Sequence, residues 1–573
     1  MRAPSLEDAL KARDFIAQVT SIMLPFTNIV QVVLSVAISY VAWNILKRRS
    51  AYAIINKIPG PRARSWLKGH LSQVFALDSW DFHDMMRQKY GPTSTFSSLF
   101  GEKYIYTFDP TAMHHVLIKD QYTFEEQPAF ILTNKLLFGD GLLSTLGEHH
   151  RKQRKLLNPV FSVAHMREML PTFNEIALKV RDSLARKVQD GPHEVDLLSW
   201  MSRTALELVG QSGLGYSFDT LTDEEYAHPY TKALKGLLTM TAVTFLPRTY
   251  VLPWLMEFVP PQVLRTLSFY WPSANLHRGR DQADYMWQLS TEIYQEKVRA
   301  LKRGDEGVVE QIGKGKDILS VLINENMKAS DEDRLSEDEL IGQMSTLIFA
   351  AMDTTSNALA RTLLLLAEHP SVQTRLREEL VRARENNDGN DLGYDVLVSL
   401  PYLDCVCRET LRIYPPVPRL LRTAVKDTVL PLATPVTGTD GSLIKEIPIP
   451  AHTNVHISIL GSNRNTALWG PDALEWKPER WLEPLPNTVS EARIPGVYSH
   501  LMTFNGGGRS CIGFKFSQLE MKVVLAHFVE TFEFAPSGRQ VHWQYAPVTN
   551  PFVREEGKVH LKLPLKMSLV KKA

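Results

Sequence analysis

The sequence FNGGGRSCIGF at residues 504–514 carries the strongest structural signal in the chain. Glycine loses more conformational freedom on folding than any other residue, so three adjacent glycines indicate a tight turn or a close approach to another group. An apolar, helix-like stretch, FSQLEMKVVLAHFVETF, follows at residues 516–532. Taken alone, this pattern leaves three interpretations of Cys511 open: a buried apolar side chain, a redox-active thiol or a metal ligand.

The composition of the 573-residue chain is that of an ordinary folded protein, with 44% hydrophobic and 22% charged residues. A net charge of +1 argues against a nucleic-acid-binding protein, which normally carries a clear excess of basic residues. The three cysteines, at 405, 407 and 511, form no disulfide framework and indicate a reducing compartment. Cys405 and Cys407 would not share a helix face, so we do not interpret them as a metal or redox pair.

An uncharged apolar segment, IMLPFTNIVQVVLSVAISYVAWNIL, occupies residues 22–46. As a helix it would extend about 37 Å, which is enough to cross a bilayer with some tilt. The basic sequence KRR follows at residues 47–49 and predicts that this end lies on the cytoplasmic side. We therefore predict a lumenal segment at 1–21 and a single transmembrane anchor at 22–46; the alternative is a buried core helix.

The chain after the predicted anchor is expected to form one large domain. The Pro-rich sequence IPGPRARSW at residues 58–66 indicates an extended lead-in, so we place a basic and Pro-rich linker at 47–62 and the domain at 63–573. A charged stretch at about 303–334 is interpreted as a polar linker before the next helix. The predicted domain is mainly α with small β-sheets, an α+β class.

A long helix is predicted from Ser336, which forms a capping box with Glu339, to the residue before Pro370. Its apolar middle contains Asp353, Thr354 and a further threonine at 355. Two interpretations remain open for these polar residues. They mark either a kink satisfied by hydroxyl groups or a groove in which an acid and an alcohol deliver protons, since a buried aspartate is costly unless it is paired or functional.

Glu409 and Arg412 lie at i and i+3, where they share one face of a predicted helix that ends near Tyr414 because three prolines follow. An isolated E-x-x-R pair is common on helix surfaces. Arg480, in the sequence PERW at 478–481, could join the pair into a buried network.

These motifs together resemble one family, the cytochrome P-450 haem-thiolate monooxygenases. The opening sequence fits the family pattern F-x-x-G-x-R-x-C-x-G, and it follows an oxygen-activating helix motif (350–355), an E-x-x-R pair and a P-E-R-W sequence in the family's order. The resemblance extends over about 60–570 and favours the microsomal fungal members. It implies the cytochrome P-450 fold, here preceded by a single N-terminal transmembrane helix.

The resemblance assigns roles to the residues of the opening sequence. Cys511 is expected to be the axial thiolate ligand of haem b, the metal ligand of the site. Arg509 would pair with a haem propionate, and Phe504 would shield the thiolate. Gly507 and Gly513 would provide a tight turn and space for the porphyrin or the adjoining helix. Gly506 and Gly508 have no explanation in the sequence.

The resemblance also assigns residues outside the opening sequence. His150 occupies a position where the family often has tryptophan, and with Arg154 it is expected to bind a propionate; adjacent His149 is the alternative. Arg422 is expected to reach the other propionate. Asp353 and Thr354 are the expected catalytic pair. A structural network on the cysteine side is expected from Glu409, Arg412 and Arg480.

The implied function is a membrane monooxygenase of the endoplasmic reticulum, single-pass, with its catalytic domain in the cytosol. It would use O2 and receive electrons from NADPH through a cytochrome reductase, with cytochrome b5 as a further candidate donor. It would hydroxylate a lipophilic small molecule, with a terpenoid specialised metabolite as first expectation. Alternatives are a reductase-independent peroxygenase or rearranging enzyme, a xenobiotic or fatty-acid hydroxylase, and a non-catalytic haem- or lipid-binding membrane protein. Substrate identity and oligomeric state stay open.

Two surface features are open to functional or purely structural interpretations. The aromatic and aliphatic segment at 241–272 is either packed core or a surface that dips into the membrane. The basic residues of the sequence RKQRK at 151–155, with Lys515, form either a docking surface for an acidic reductase or a solvated charged face.

Overall fold

A computed structural model describes residues 52–222, 228–303 and 315–571, together with the isolated residues 35 and 39. Over these ranges the chain forms many helices and four small sheets, as the α+β expectation required. The predicted lumenal segment, the anchor at 22–46 and the first part of the linker lie outside the described residues, apart from residues 35 and 39. In the part of the chain that is described, no helix combines the length and apolarity needed to cross a membrane.

The α-helices fall into two groups along the described chain. In the first half they are α1 (Leu71–Val74), α2 (Trp80–Tyr90), α3 (Pro110–His114), α4 (Pro128–Phe138), α5 (Gly147–Leu157), α6 (Val163–Lys187), α7 (Leu197–Leu208), α8 (Pro229–Val243), α9 (Phe245–Tyr250), α10 (Leu252–Phe258), α11 (Pro261–Tyr270) and α12 (Ala274–Lys302). In the second half they are α13 (Ile318–Lys328), α14 (Glu337–Glu368), α15 (Pro370–Glu385), α16 (Tyr394–Ser399), α17 (Pro401–Ile413), α18 (Ile459–Asn463), α19 (Thr466–Trp469), α20 (Asn487–Ser490) and α21 (Phe514–Thr531).

The strands form one five-stranded sheet and three smaller sheets. The strands are β1 (Thr93–Ser97), β2 (Lys103–Thr107), β3 (Phe124–Glu126), β4 (His193–Asp196), β5 (Arg419–Ala424), β6 (Thr428–Thr437), β7 (Leu443–Ile449), β8 (Asn454–Ser458), β9 (Phe532–Pro536), β10 (His542–Gln544), β11 (Asn550–Glu555), β12 (Lys558–His560) and β13 (Pro564–Leu569). The largest sheet has the order β1-β2-β8-β5-β3, and the others are β10-β11-β12, β4-β13-β9 and β6-β7. In the largest sheet only β2 and β8 are parallel.

Helix α14 is the long helix predicted from the sequence. Its N-cap Ser336 accepts from the backbone of Glu339, and the Glu339 side chain accepts from the Ser336 backbone, so the predicted capping box is confirmed. The helix ends at Glu368 because His369 leaves the helical region before Pro370. Most of its side chains are buried in the main core, where it packs against α7, α12 and α21.

The polar linker expected at about 303–334 contains a helix, so that expectation was wrong for residues 318–328. Helix α13 is N-capped by Asp317, which accepts from the Ser320 backbone. Asp317 also forms a buried ion pair with Lys297 at 2.9 Å, which fixes the helix start against α12. Apolar residues on α13 join the main core. Residues 304–314 of the expected linker lie outside the described residues.

The described part of the expected N-terminal linker is packed on the domain. Ile55 and Ile58 are buried in a second core beneath the five-stranded sheet. The backbone N–H of Thr95 in β1 donates to the Pro59 carbonyl at 3.0 Å. The lead-in therefore adds apolar side chains and one backbone hydrogen bond to the sheet.

Candidate active site

The glycines of the cysteine loop make close backbone contacts. Gly507 has a φ of +70°, and a Cβ placed on it would lie 1.8 Å from the carbonyl oxygen of Leu117. A Cβ on Gly506 would lie 2.0 Å from the Pro495 carbonyl oxygen, so this glycine, unexplained by the sequence, is required by packing. Gly513 meets no such limit, since the nearest atom to its Cβ would be 3.7 Å away.

Cys511 lies between this loop and the start of helix α21. Its backbone N–H donates to the Phe504 carbonyl at 2.8 Å, which closes the loop, and the Phe504 ring is buried. The Cys511 side chain is exposed. Burial nevertheless raises the pKa of the thiol, while the Gly513 backbone N–H and the Arg154 guanidinium act to lower it. A thiol that is accessible and yet desolvated borders a space enclosed largely by protein.

Arg154, on helix α5, binds the residue directly before the cysteine. Its Nη1 donates to the Ser510 carbonyl at 2.6 Å and its Nη2 donates to the Ser510 hydroxyl at 3.0 Å. The side chain therefore points inward and is not part of a surface basic cluster. The sequence did not indicate Ser510 as a partner.

Two further arginines lie close to a pair of carboxylates on strand β3. Arg509 donates to the Thr145 carbonyl at 2.7 Å and lies 3.7 Å from Glu125. Arg422, on β5, donates to Glu126 at 2.6 Å. These acidic partners were not predicted. With Arg154, three guanidiniums and two carboxylates meet here, so the cluster keeps an excess of positive charge.

His150 faces this arginine cluster. It is buried, and the desolvation together with the charges of Arg509, Arg154 and Arg422 lowers its pKa to about 3. His149 points away and pairs with Glu339 at 2.8 Å. Of the two candidate histidines, the structure places His150 beside the arginines.

Helix α14 has a short accessible stretch in its otherwise buried middle. Ala350 is exposed, and Ala351 and Thr354 are partly exposed. The Thr354 hydroxyl donates to the Ala350 carbonyl at 2.7 Å, which is the back-bonding expected of a threonine in a helix. The Thr355 hydroxyl donates to Ser517 on α21 at 3.2 Å, so this part of α14 runs beside the helix that follows the cysteine.

Asp353 is buried beside Thr354. Burial raises the pKa of its carboxyl group to about 6, and among the described residues its Oδ2 atom has no hydrogen-bond partner. Asn357, one turn later, donates to the Asp353 carbonyl at 2.7 Å and to the Asn550 side chain at 3.0 Å. Asn357 was not predicted, although its i+4 position relative to Asp353 was a usable signal.

The Glu409–Arg412 pair is completely buried on helix α17. Both guanidinium contacts to the carboxylate measure 2.8 Å, in a bidentate arrangement. Arg480 reaches the same carboxylate at 3.3 Å and Trp481 donates to it at 3.0 Å. Arg412 also donates to the carbonyls of residues 463 and 473. The three residues grouped from the sequence thus form one network that ties α17 to the irregular segment at 463–481.

The other two cysteines are buried on α17. Burial raises the pKa of Cys405 to about 11 and that of Cys407 to about 12, so both stay thiols near neutral pH. Only Cys511, of the three cysteines, is exposed.

The residues present fit a haem group with a thiolate ligand. Cys511 is accessible, and Gly513 leaves the space beside it free of close protein atoms. The arginine cluster around His150 has excess positive charge suited to propionate carboxylates. The accessible stretch at Ala350 would provide an apolar surface against a flat cofactor.

Comparison with known proteins identifies relatives along nearly the whole chain. A family model described as cytochrome P-450 matches residues 58–563. The chain is 51% identical to cytochrome P-450 monooxygenase 91 of Postia placenta, over 95% of this chain and 99% of the relative. It is 43% identical to a ganoderic acid synthetase of Ganoderma lucidum, over 92% and 96% of the two chains. A cytochrome P-450 monooxygenase of Hericium erinaceus is 39% identical, over 92% and 96%.

Proposed function

Because the chain belongs to the cytochrome P-450 family of monooxygenases, we propose that it is a membrane-anchored enzyme of the endoplasmic reticulum that takes electrons from an NADPH–cytochrome reductase. Its substrate is a hydrophobic specialised metabolite, with a terpenoid scaffold as the leading candidate. The observation that carries the proposal is the accessible thiol of Cys511 within the family's loop pattern.

The residues around Cys511 would hold the cofactor. When bound, haem b would supply iron chemistry that activates O2, with the Cys511 thiolate as its iron ligand. Arg154 fixes the loop at Ser510, and the Gly513 N–H and the Arg154 charge stabilise the sulfur anion. The excess positive charge around Arg422 and Arg509 would receive the propionates.

Asp353 and Thr354 would hold and donate protons at the accessible stretch of α14. A carboxyl group with a pKa raised to about 6 is partly protonated near neutral pH and can exchange a proton there. The Thr354 hydroxyl lies on the accessible stretch beside Ala350, where it would be placed to hold or donate a proton. Asn357 donates hydrogen bonds to the Asp353 carbonyl and to the Asn550 side chain, and so links the backbone at Asp353 to strand β11.

An apolar wall supports a hydrophobic substrate. The partly exposed ring of Phe349 on α14, next to the accessible Ala350, stacks on the buried ring of Phe138 on α4 at a centroid distance of 4.7 Å. Apolar, concave sites with few polar groups select hydrophobic small molecules. The Ganoderma relative is named for the synthesis of ganoderic acid, which favours specialised metabolism over general xenobiotic oxidation.

An exposed apolar surface supports contact with a membrane. Along α9–α11 the exposed large apolar side chains are Leu246, Val251, Trp254, Phe258, Val263, Leu267, Phe269 and Tyr270, followed by Trp271. Contiguous apolar surface of this kind marks an interaction site. The Tyr250 hydroxyl forms a hydrogen bond with the Ser98 hydroxyl at 2.5 Å, and the ring of Phe245 contacts that of Phe75. This surface therefore adjoins the hairpin of β1 and β2, near which Trp66 and Phe100 are also exposed.

A basic surface on α5 supports docking of a reductase. Arg151 and Lys155 are exposed, Lys152 is partly exposed, and Lys515 lies beside the cysteine loop. Lys155 already contacts Asp333 at 2.7 Å, so Lys152 and Lys515 are the better probes. If Lys152→Glu with Lys515→Glu leaves the dependence of the rate on reductase concentration unchanged, docking at this surface is excluded.

The decisive experiment compares the reduced, carbon-monoxide-bound difference spectra of the wild type, Cys511→Ser and the buried-cysteine control Cys405→Ala. We expect a band near 450 nm in the wild type and the control and its loss in Cys511→Ser. Turnover is then measured on extracts of metabolites with and without reductase. Reductase-independent turnover with hydrogen peroxide would support the peroxygenase alternative and contradict the proposal.

A further inference from the structure

A cavity of about 370 Å³ is lined by none of the residues of the candidate active site. It opens between the start of α2, the C-terminal part of α14, the end of α17 and the hairpin of β10 and β11. We call it the arginine–aromatic pocket, because its walls include three arginines (Arg361, Arg464 and Arg554) and the rings of Trp80, Tyr414 and Trp543.

Arg361 is held between two of these rings. Its guanidinium carbon lies 3.4 Å from the centroid of Trp543 and 4.1 Å from that of Tyr414. Within the described ranges the side chain forms no hydrogen bond and no ion pair, and its Nε is buried without a partner. Ring stacking explains the plane of the guanidinium but leaves its N–H donors unused.

Arg464 is the second cation of the pocket and is nine-tenths buried. Its Nε donates to the Ile413 carbonyl at 2.7 Å, and its guanidinium carbon lies 5.2 Å from the centroid of the Tyr414 ring. Burial and the nearby positive charges lower the pKa of Arg464 to about 10, and burial lowers that of Arg361 to about 9. The fold therefore holds two guanidiniums close together although burial removes part of the hydration of their charged forms.

The charge of the pocket is not balanced by protein carboxylates. Arg554 stands exposed at the rim, and Asp78 is the one acidic residue among the lining residues. Asp84 and Glu368 act on the buried arginines only from a distance. Among the described residues, none of the three arginines forms an ion pair with any carboxylate. A buried charge without a paired counter-charge is unfavourable unless a ligand supplies one.

We propose that the arginine–aromatic pocket binds an organic anion, in which a carboxylate or phosphate group is held by the arginines and a flat apolar ring system packs against Trp80 and Trp543. Guanidinium groups bind both oxyanions through paired hydrogen bonds, and the indole rings accept a flat body. The pocket is independent of the substrate class proposed above, because none of its lining residues belongs to the candidate active site.

The proposal is tested by isothermal titration calorimetry on the full-chain, haem-loaded protein in neutral detergent. The probes are 1-naphthoate, 1-naphthyl phosphate and the uncharged 1-naphthalenemethanol. We expect at least one anion to bind ten or more times more tightly than the alcohol. A preference for the phosphate assigns the natural ligand to phosphorylated compounds, and a preference for the carboxylate assigns it to organic acids; both support the pocket.

The variants locate the binding. Arg554→Ser removes an exposed side chain and Arg361→Met a half-buried one. Each is expected to weaken binding of the anion by about tenfold, because each removes a guanidinium that would donate charge-assisted hydrogen bonds. Arg382→Ser, an exposed arginine on α15 outside the pocket, is the control. Equal binding of the alcohol and both anions, or unchanged anion affinity in Arg554→Ser, overturns the proposal even if Arg361→Met fails to fold.

Discussion

The Arg154 guanidinium holds Ser510 by two hydrogen bonds, at 2.6 Å to its carbonyl and 3.0 Å to its hydroxyl, directly before Cys511. Helix α5 therefore supports the cysteine loop from outside the loop's own sequence. Because both bonds are charge-assisted, their loss removes several kcal/mol, about 1.5–3 for each, from the interaction that positions the loop.

Arg154→Met is accordingly expected to weaken haem retention. We expect the haem-to-protein ratio after purification to fall at least by half, with a matching loss of the 450 nm band. Arg151→Met is the matched control, because Arg151 lies on the same helix, is exposed and, among the described residues, has its one ion pair with Glu148 at 3.6 Å. Equal haem content in both variants would contradict this role of Arg154.

Glu409→Gln is expected to destabilise the protein strongly. The substitution leaves Arg412 fully buried and without its counter-charge, which costs about 3–5 kcal/mol. Chemical unfolding of the variant should show this loss, with little folded protein at 37 °C. The control is Glu175→Gln in the exposed pair with Lys179, where a change of about 0.5 kcal/mol is expected. Comparable losses of unfolding free energy in both variants would show that breaking the buried pair costs no more than breaking an exposed one.

Local patterns predicted the long helix and the buried pair because their signals lie within a few residues. The capping box of Ser336 and Glu339 and the i, i+3 spacing of Glu409 and Arg412 are such signals. Arg480 was proposed to join this pair from the PERW sequence, and the family resemblance supported the same grouping. Helix α13 was missed because charged residues on both sides of it dominate the composition, although Asp317 is a good N-cap.

Long-range contacts between side chains could not be predicted from one sequence. Ser510 is 356 residues from Arg154, and Glu126 is 296 residues from Arg422. These pairs exist because α5 packs near the cysteine loop and β3 pairs with β5, and β3 has only three residues, too few for a period-two pattern. The motifs predicted which residues belong to the site, and packing determined their partners.

Thr354→Ala is expected to uncouple oxygen consumption from substrate oxidation. The hydroxyl that can donate a proton at the accessible stretch of α14 is removed, so a larger share of the NADPH consumed should yield hydrogen peroxide, by about tenfold or more. The matched control is Thr362→Ala, since Thr362 back-bonds Ala358 at 2.8 Å in the same helix but is fully buried. Normal coupling in Thr354→Ala would exclude the assigned role.

Asp353 should make stability depend on pH. Its pKa is raised from 3.8 to about 6, so between these values the folded protein holds a proton that the unfolded chain releases. Stability is then lost as pH rises, by about 1.4 kcal/mol per pH unit and about 3 kcal/mol in all. Relative to the wild type, Asp353→Asn should therefore gain about 2.4 kcal/mol in unfolding free energy between pH 4 and pH 7.

The measurement is denaturant unfolding of both proteins at several pH values across this window. Asp338→Asn serves as control, because Asp338 lies exposed in the first turn of the same helix. A difference between wild type and Asp353→Asn that stays constant with pH would contradict a raised pKa at Asp353. A pH-independent difference in unfolding free energy between the two proteins is also expected, since the asparagine amide is buried as well.

Trp254 and Phe258 should contribute to membrane binding independently of the proposed N-terminal anchor. Their rings contact each other at a centroid distance of 5.5 Å and are 61% and 67% exposed. Burial of one such side chain in lipid contributes about 1.5–3 kcal/mol, so the double substitution to serine should lower vesicle partitioning by at least tenfold. Sedimentation with lipid vesicles of a chain that begins at residue 47 measures this effect.

Met327→Ser, which removes an apolar side chain of similar exposure on α13, should leave partitioning unchanged. Equal partitioning of all three proteins would mean that α10 does not contact the bilayer.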